Sequence, residues 1–453
     1  MKIKSTLNHP LILAALLFST ALASFPTGQA LADDDDLINM IVELVKGSDG
    51  DMRALALQQI REEIPGEAAT TRFVELLPTL PPDLQVEVLD ALGERGDAVA
   101  RPGVLKMLNS KTDAVRAMAA RALSGLATPA DIPVLAKVAA TGSDAEKESA
   151  RHSLRRLPGN EMNVAMTGAL KKADAKTRIE LISALIDRDA KESVPAVLES
   201  AADSDLEVRL AVLAALRAMA DENHVATVVK CLKASKDKSE HKQAELALLA
   251  TCSRGRAKCA DAVVAGFEGA DVAARISMVR SLAEAGGPEA LGEIVARVKD
   301  EDAGVSSEAV RVLAGWTGPA AIPHLKKMAG DVKNLRNHVL AIRGIVRLAA
   351  PGKDKPADLA TLAETMKLAS RKEEKILVIG ALGTVPTEEA LKLVAAAMDK
   401  PELLEDAGFA AVNIAEKITD GSKAEIKVVM TKVADSIKHE RTRERAKKVL
   451  ESL

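Results

Sequence analysis

Asp113 and Arg116 stand three residues apart in "DAVRAMAARAL" (113–123), placing a carboxylate and a guanidinium within one helical turn of each other. Such a pair has two uses: acid–base chemistry at a bound substrate, or a local ion pair. Related pairs occur at spacings of two to four residues in Asp51/Arg53, Asp144/Lys147, Asp174/Arg178, Asp205/Arg209 and Asp271/Arg275. A catalytic pair is not copied down a chain in this way, whereas a structural device is. An acid at a helix start accepts from free backbone N–H groups and faces the positive end of the dipole, worth about 0.5–2 kcal/mol per cap. The base one turn later reaches that acid, or an acid in the next unit, and the series predicts a ladder of charges.

The other reactive side chains form no constellation. His152, His224, His241, His324, His338 and His439 are scattered, His9 lies near the N-terminus, and none shows the i, i+4 spacing of a helical metal site or an H-E-x-x-H motif, so no metal is assigned. Each of these histidines reads as surface or partly buried. There is no phosphate-binding loop, no nucleophile elbow and no dinucleotide fingerprint, so neither a cofactor nor an enzymatic activity is expected. In "LLATCSRGRAKCADAVV", Cys252 and Cys259 face each other across a turn, either as a disulfide or as two buried thiols, while Cys231 reads as a small core residue.

These residues are carried by a repeat. Taking Arg116 as a ruler, Leu123 follows seven residues later, and the same basic-to-apolar offset joins Arg53/Ile60, Lys147/Leu154, Arg178/Leu185, Arg209/Leu216, Lys242/Leu249, Arg275/Leu282, Lys375/Leu382 and Arg443/Leu450. Gln85/Leu92, Ser306/Leu313 and Glu405/Val412 keep the spacing without the base, and Arg336 opens a looser unit. Steps between rulers run from 30 to 33 residues except for one of 39 and one of 38. Within a unit, Val115, Met118, Ala119, Ala122, Leu123 and Leu126 follow helical spacing, and Ile132, Leu135, Val138 and Ala139 form a second stripe after a turn. Pro102, Pro133, Pro195 and Pro323, each ten residues after its landmark leucine, mark the start of that second helix. One such hairpin cannot bury its apolar face alone, but a stack of them can. The prediction is an all-α, right-handed α-solenoid of helical hairpins over residues 37–453, with a period of about 31 residues. Trp316 falls where Leu126 and Met219 fall, and so belongs to the core between repeats. The long steps contain a loop around 350–357 and a longer helix at 423–438, and "HERTRERAKKVLESL" suits a polar closing helix.

The units "DAVRAMAARAL" (113–123) and "DLEVRLAVLAAL" (205–216) resemble HEAT-like repeats, in particular the short form found in phycobilisome lyases. The resemblance covers almost all of the chain after the leader. It implies the solenoid architecture, second helices that line its inner surface, and, in one setting, an accessory or lyase-like action on a partner protein. Fourteen residues after the landmark leucines stand Lys106, Lys137, Lys230 and Lys327, a row interrupted by Glu199 and Ala296. On second helices these lysines are candidates for a binding row that takes an anionic polymer or envelope component.

The N-terminus has Lys2 and Lys4, an apolar run from Leu11 to Ala23, and small residues before "DDDD". This is the layout of a secretory signal peptide over residues 1–32, followed by an acidic segment at 33–36, with cleavage after Ala23 or Ala32. The run of 13 residues is short of the roughly 20 that span a bilayer, and no later run approaches that length. The expected location is periplasmic or extracellular. Removing the leader takes the net charge from -3 to -5, because it deletes two lysines and no acid. A chain so charged lacks the basic field of a general nucleic-acid binder. Aromatic residues make up 1% of a chain that is 47% hydrophobic, so its helices pack through Ala, Leu, Val, Ile and Met. The leading expectation is an exported, non-enzymatic scaffold that binds a protein partner through its solenoid surface. Anionic-polymer binding by the lysine row and lyase-like accessory action are the alternatives.

Overall fold

The computed structural model describes residues 34–63, 66–353, 355–419 and 421–453. The leader expected at 1–32, with His9 inside it, lies outside the described residues, as does Asp33. The described residues are all-α, with a single isolated bridge between Gly352 and Lys355 in the loop of the 39-residue step.

The chain divides into two units, one ending at Ser200 and one running from Ala201 to Leu453. The first contains α1 (Asp34–Lys46), α2 (Gly50–Gln58), α3 (Glu67–Leu76), α4 (Pro82–Arg95), α5 (Arg101–Met107), α6 (Asp113–Ala122), α7 (Ile132–Thr141), α8 (Asp144–Arg156), α9 (Asn160–Leu170), α10 (Ala175–Asp187) and α11 (Val194–Leu198). The second contains α12 (Leu206–Met219), α13 (Val225–Ala234), α14 (Lys238–Gly255), α15 (Ala260–Gly266), α16 (Val272–Ala285), α17 (Gly287–Arg297), α18 (Ala303–Gly315) and α19 (Ile322–Ala329). It continues with α20 (Leu335–Ala349), α21 (Leu359–Leu368), α22 (Lys372–Leu382), α23 (Glu388–Ala397), α24 (Leu404–Ala415), α25 (Lys423–Ser436) and α26 (Glu440–Ser452). Asp34–Asp36 open α1 rather than preceding the helical stack.

In each unit first helices pack on first helices one repeat away (α4 on α6, α6 on α8, α12 on α14, α14 on α16), so the landmark leucines form a continuous core. Leu92, Leu123, Leu154, Leu185, Leu216 and Leu282 are fully buried, and Trp316 is buried as its alignment requires. Pro102, Pro133, Pro195 and Pro323 sit in the first turn of α5, α7, α11 and α19, where a missing N–H costs least. The first helices approach closely because small residues meet. A Cβ on Gly93 would fall 2.7 Å from the Ala122 Cα, so α4 and α6 meet at this point without a side chain between them.

Asp174, Asp205 and Asp271 cap α10, α12 and α16 through side-chain bonds to backbone N–H groups. The register is offset elsewhere. Asp49 rather than Asp51 caps α2, and Thr112 and Ser143 hold the cap positions ahead of Asp113 and Asp144. At α8 Glu146 supplies the bond instead, accepting from the Ser143 N–H at 2.9 Å.

A second set of contacts joins the repeats at the ends of the first helices. The last carbonyls of a helix have no partner inside it. Arg188, just after α10, donates to the carbonyls of Leu154 (3.2 Å), Leu157 and Gly159 (3.0 Å) at the end of α8, and its Nε reaches Asn163 Oδ1 at 2.6 Å. Arg95 does the same to the Ile60 carbonyl at 2.9 Å. Arg254 binds the Ala220 and Arg217 carbonyls at 2.7 and 2.9 Å, and Arg347 those of Trp316 and Ala314 at 2.7 and 3.0 Å. Each guanidinium thus closes the helix end of the repeat before it. Charge-assisted bonds contribute about 1.5–3 kcal/mol each, with losses that do not add, so Arg188→Ala is expected to lower stability by roughly 3 kcal/mol. Arg188→Lys recovers less than half of this because an ammonium has no fork, and the denaturation midpoints of the two variants measure both effects.

Candidate functional site

Of the repeated acid–base pairs Asp113 and Arg116 meet each other, while Arg209 and Arg275 turn to Glu240 and Asp300 and Asp174 turns to Lys137. Arg116 holds Glu146 of the next repeat bidentately at 2.8 and 3.1 Å, donates to the Ser110 carbonyl at 2.9 Å and pairs with Asp113 at 2.7 Å. Arg209 repeats the arrangement with Glu240, and Arg151 with Glu180. Arg280 bridges Glu245 and Glu308 on either side of it. The Arg116 guanidinium, helped by the Ser143 N–H and opposed by burial, lowers the Glu146 carboxyl to about 2. Arg116 and Arg209 thus form the inter-repeat ladder the spacing predicts, and both of these pairs stand at the edge of a groove with their charges already satisfied by each other.

One reactive cluster escapes the sequence pattern. His338, read as surface or partly buried, is fully buried. Its partner Glu374 lies 36 residues away on α22, a separation at which no local signal links them. His338 Nδ1 meets the Ala329 carbonyl at 2.6 Å, while Nε2 meets both Glu374 Oε2 at 3.0 Å and Ser370 Oγ at 3.1 Å. Serine, histidine and glutamate are therefore adjacent, but hydroxyl and carboxylate share one ring nitrogen and the other faces a backbone carbonyl. A nucleophile relay needs them on opposite nitrogens, so the cluster works as a tie between α20 and α22. Burial opposes ionisation of Glu374, but bonds from Arg371 and His338 outweigh it and lower this carboxyl to about 2 as well.

Cys252 and Cys259 are both fully buried and not joined by a disulfide, and Cys259 Sγ donates to the Thr251 carbonyl at 3.7 Å. Gly255 makes room for them: a Cβ there would fall 2.5 Å from Cys259 Sγ. Burial pushes both thiols up, which keeps them protonated and unreactive. Cys231 is only partly buried and lines a groove of about 320 Å³ with Arg209, Lys236 and Glu240. Among the described residues no group of three or more His, Cys, Asp or Glu is placed to hold a metal ion.

The four row lysines are all exposed on second helices: Lys106 on α5, Lys137 on α7, Lys230 on α13 and Lys327 on α19. Lys106 and Lys137 belong to the first unit and Lys230 and Lys327 to the second, where α15 and α17 intervene. Lys137 also has a partner, Asp174 Oδ2 at 2.7 Å, which with the Thr177 N–H lowers the Asp174 carboxyl.

What the second helices of the first unit share is apolar. Pro102, Pro133, Val164 and Pro195 occupy one position, ten residues after the landmark leucine, on α5, α7, α9 and α11, and all four are exposed. Val164 is 63% exposed and Val134, beside Pro133, 45%. Grooves open along this stripe. One of about 910 Å³ lies against α5 and α7, where Leu105, Pro133 and Val134 stand beside Lys137 and the paired Arg116 and Glu146. Another of about 320 Å³ lies against α9 and α11, lined by Val164, Thr167, Ser193, Pro195 and Glu199. Ser193 is 2% exposed, and its hydroxyl has no hydrogen-bond partner among the described residues.

Comparison with known families agrees with this geometry. The profile of the family described as HEAT repeats matches residues 70–155 and 260–343, a stretch in each unit. Those two stretches are similar to HEAT repeats. Among solved structures, the chain is similar to Kap121p bound to Nup53p, at 12% identity and a TM-score of 0.49, over 97% of this chain and 55% of that one. It is likewise similar to Kap121p bound to Ste12p, at 12% identity and a TM-score of 0.47, over 98% and 57%. An engineered protein matches at 18% identity and a TM-score of 0.28, over 92% and 98%. The chain thus spans little more than half the length of the Kap121p chains. No curated protein matches it by sequence. Such repeats are generally non-catalytic and serve in protein interaction. Among the described residues no helix is long and apolar enough to cross a membrane.

The lowered carboxyls fix a pH response. Glu146 and Glu374 fall from an ordinary 4.5 to about 2 on folding, so their stabilisation is complete above pH 5 and is lost as the pH falls from about 4.5 to 2. Melting temperatures between pH 6 and 2 should show this fall, and Glu146→Gln with Glu374→Gln should flatten it while lowering stability at pH 6. Alkylation followed by mass measurement should label Cys252 and Cys259 slowly in the native protein and fully in denaturant.

Proposed function

We propose that the protein is an exported, non-enzymatic scaffold that binds a protein partner through the second-helix face of its first unit. The observation that carries this reading is the exposed Pro102–Pro133–Val164–Pro195 stripe with its two grooves. Apolar side chains left in water at the same place in consecutive repeats gain free energy on being covered, and grooves beside them give shape for specificity. The partner is expected to bring its own aromatic or arginine anchors, because this chain has one Trp and five Phe. Export rests on the three-part leader at residues 1–32.

Two changes separate this reading from the lysine-row alternative. Val134→Asp with Val164→Asp places charges on the stripe without touching the core, and should reduce crosslinking to the natural partner in the cell envelope at least tenfold, about 1.4 kcal/mol. Lys106→Glu, Lys137→Glu, Lys230→Glu and Lys327→Glu together should leave that crosslinking in place. The reverse pattern would establish the lysine row instead. Cell fractionation with and without residues 1–32 tests export separately.

A further inference from the structure

We propose that the last turns of α6 and α8 form a binding site for a phosphate group, carried by the free ion or by an anionic lipid head group, with Arg121, Arg155 and Arg156 as its ligands. The site lies on first helices, away from the second-helix stripe, so it stands independently of the partner-binding reading.

The geometry begins with Ser153, whose hydroxyl donates to the Ala120 carbonyl at 2.7 Å and the Arg121 carbonyl at 3.2 Å and so locks the end of α8 onto the end of α6. Arg121 and His152 each stand two residues before a landmark leucine, so they are neighbours across the repeat boundary, and Arg155 and Arg156 follow Leu154 directly. All three arginines are exposed and His152 is half-buried. Neither Arg121 nor Arg156 makes an ion pair among the described residues, and Arg155 has only a long contact, 3.9 Å, to Asp187. The remaining acids offer little neutralisation. Glu180 is held bidentately by Arg151, and Glu148, one turn before His152 on α8, is shared between Arg151 and His152.

Basic residues at a helix C-terminus are ordinarily explained by the negative end of the dipole. That need is already met here, because Arg188 donates to the Leu154, Arg155 and Leu157 carbonyls. The cluster is therefore surplus positive charge in a chain whose net charge is -3. Guanidinium forks match phosphate oxygens in bidentate geometry, which a lysine row does not. Burial and the guanidiniums of Arg121, Arg156 and Arg155 hold the His152 imidazole below its ordinary value, with Glu148 opposing them. An anion seated among those arginines reverses part of this effect, which makes His152 a reporter within the site.

The test is the NMR titration of the His152 ring, assigned with His152→Gln, in chloride, in inorganic phosphate at matched ionic strength, and with phosphatidylglycerol vesicles. Matching matters because salt alone screens charges beyond about 8 Å at 0.15 M. Phosphate or the vesicles should raise the His152 midpoint above its value in chloride, and which of the two does so identifies the source of the group. Arg121→Ala with Arg156→Ala should remove the rise and weaken binding about tenfold or more, while His152→Gln should still bind by calorimetry. Equal midpoints in all three media would overturn the proposal. So would an Arg121→Ala/Arg156→Ala protein of native circular dichroism that still responds.

Discussion

The bond from an arginine to the carbonyl end of the helix one repeat earlier is the contact on which the stack depends. A hairpin packed between neighbours has its helix ends crowded by the next turn of chain, and free carbonyls there lose water without gaining a partner. Arg95, Arg188, Arg254 and Arg347 supply that partner from the following repeat. Apolar burial alone lets two helices slide, because it has no direction. A guanidinium fork aimed at fixed carbonyls does have one, and it sets the register in which landmark leucines such as Leu154 and Leu185 meet.

Pairing between neighbours governs the rest of the charge as well. Arg116, Arg209 and Arg280 engage glutamates of adjacent repeats, and His338 engages Glu374. What remains outward is unlike on the two sides of the first unit. Second helices present prolines and valines beside grooves, and first helices present Arg121 and Arg156 near His152, neither of them in an ion pair among the described residues. Small residues at contacts such as Gly93 against Ala122 bring the first helices close enough for side chains of one repeat to reach the backbone of another.

Much of this architecture is legible in the order of the residues. The offset from Arg116 to Leu123 marks the helices, the prolines mark where the second ones start, and Trp316 falls in the core because its position does. The carbonyl clamps are not legible, because their spacing varies: Arg95 and Arg188 lie three residues after the landmark leucine, whereas Arg254 lies five after Leu249. The expected caps are one position off at Thr112 and Ser143, since an acid in the first turn satisfies the same pattern whether it caps or pairs. His338 departs from the expected surface or partly buried setting because its burial is decided by Ala329, Ser370 and Glu374 on other elements. The lysine row is visible as a spacing, but Asp174 reaches Lys137 only through the stacking of one hairpin on the next. The apolar stripe shares the prolines' offset, and exposure alone distinguishes a helix start from a binding face.

The direction of the clamp also bears on how the chain is made. Each arginine belongs to the later repeat and the carbonyls it serves to the earlier one, so a hairpin leaving the ribosome is not finished until its successor follows. Newly made repeats wait with wet, frayed helix ends, and closure travels behind synthesis by one unit. A pause in translation within a repeat would hold the previous one open, its helix end still waiting for the arginine that closes it.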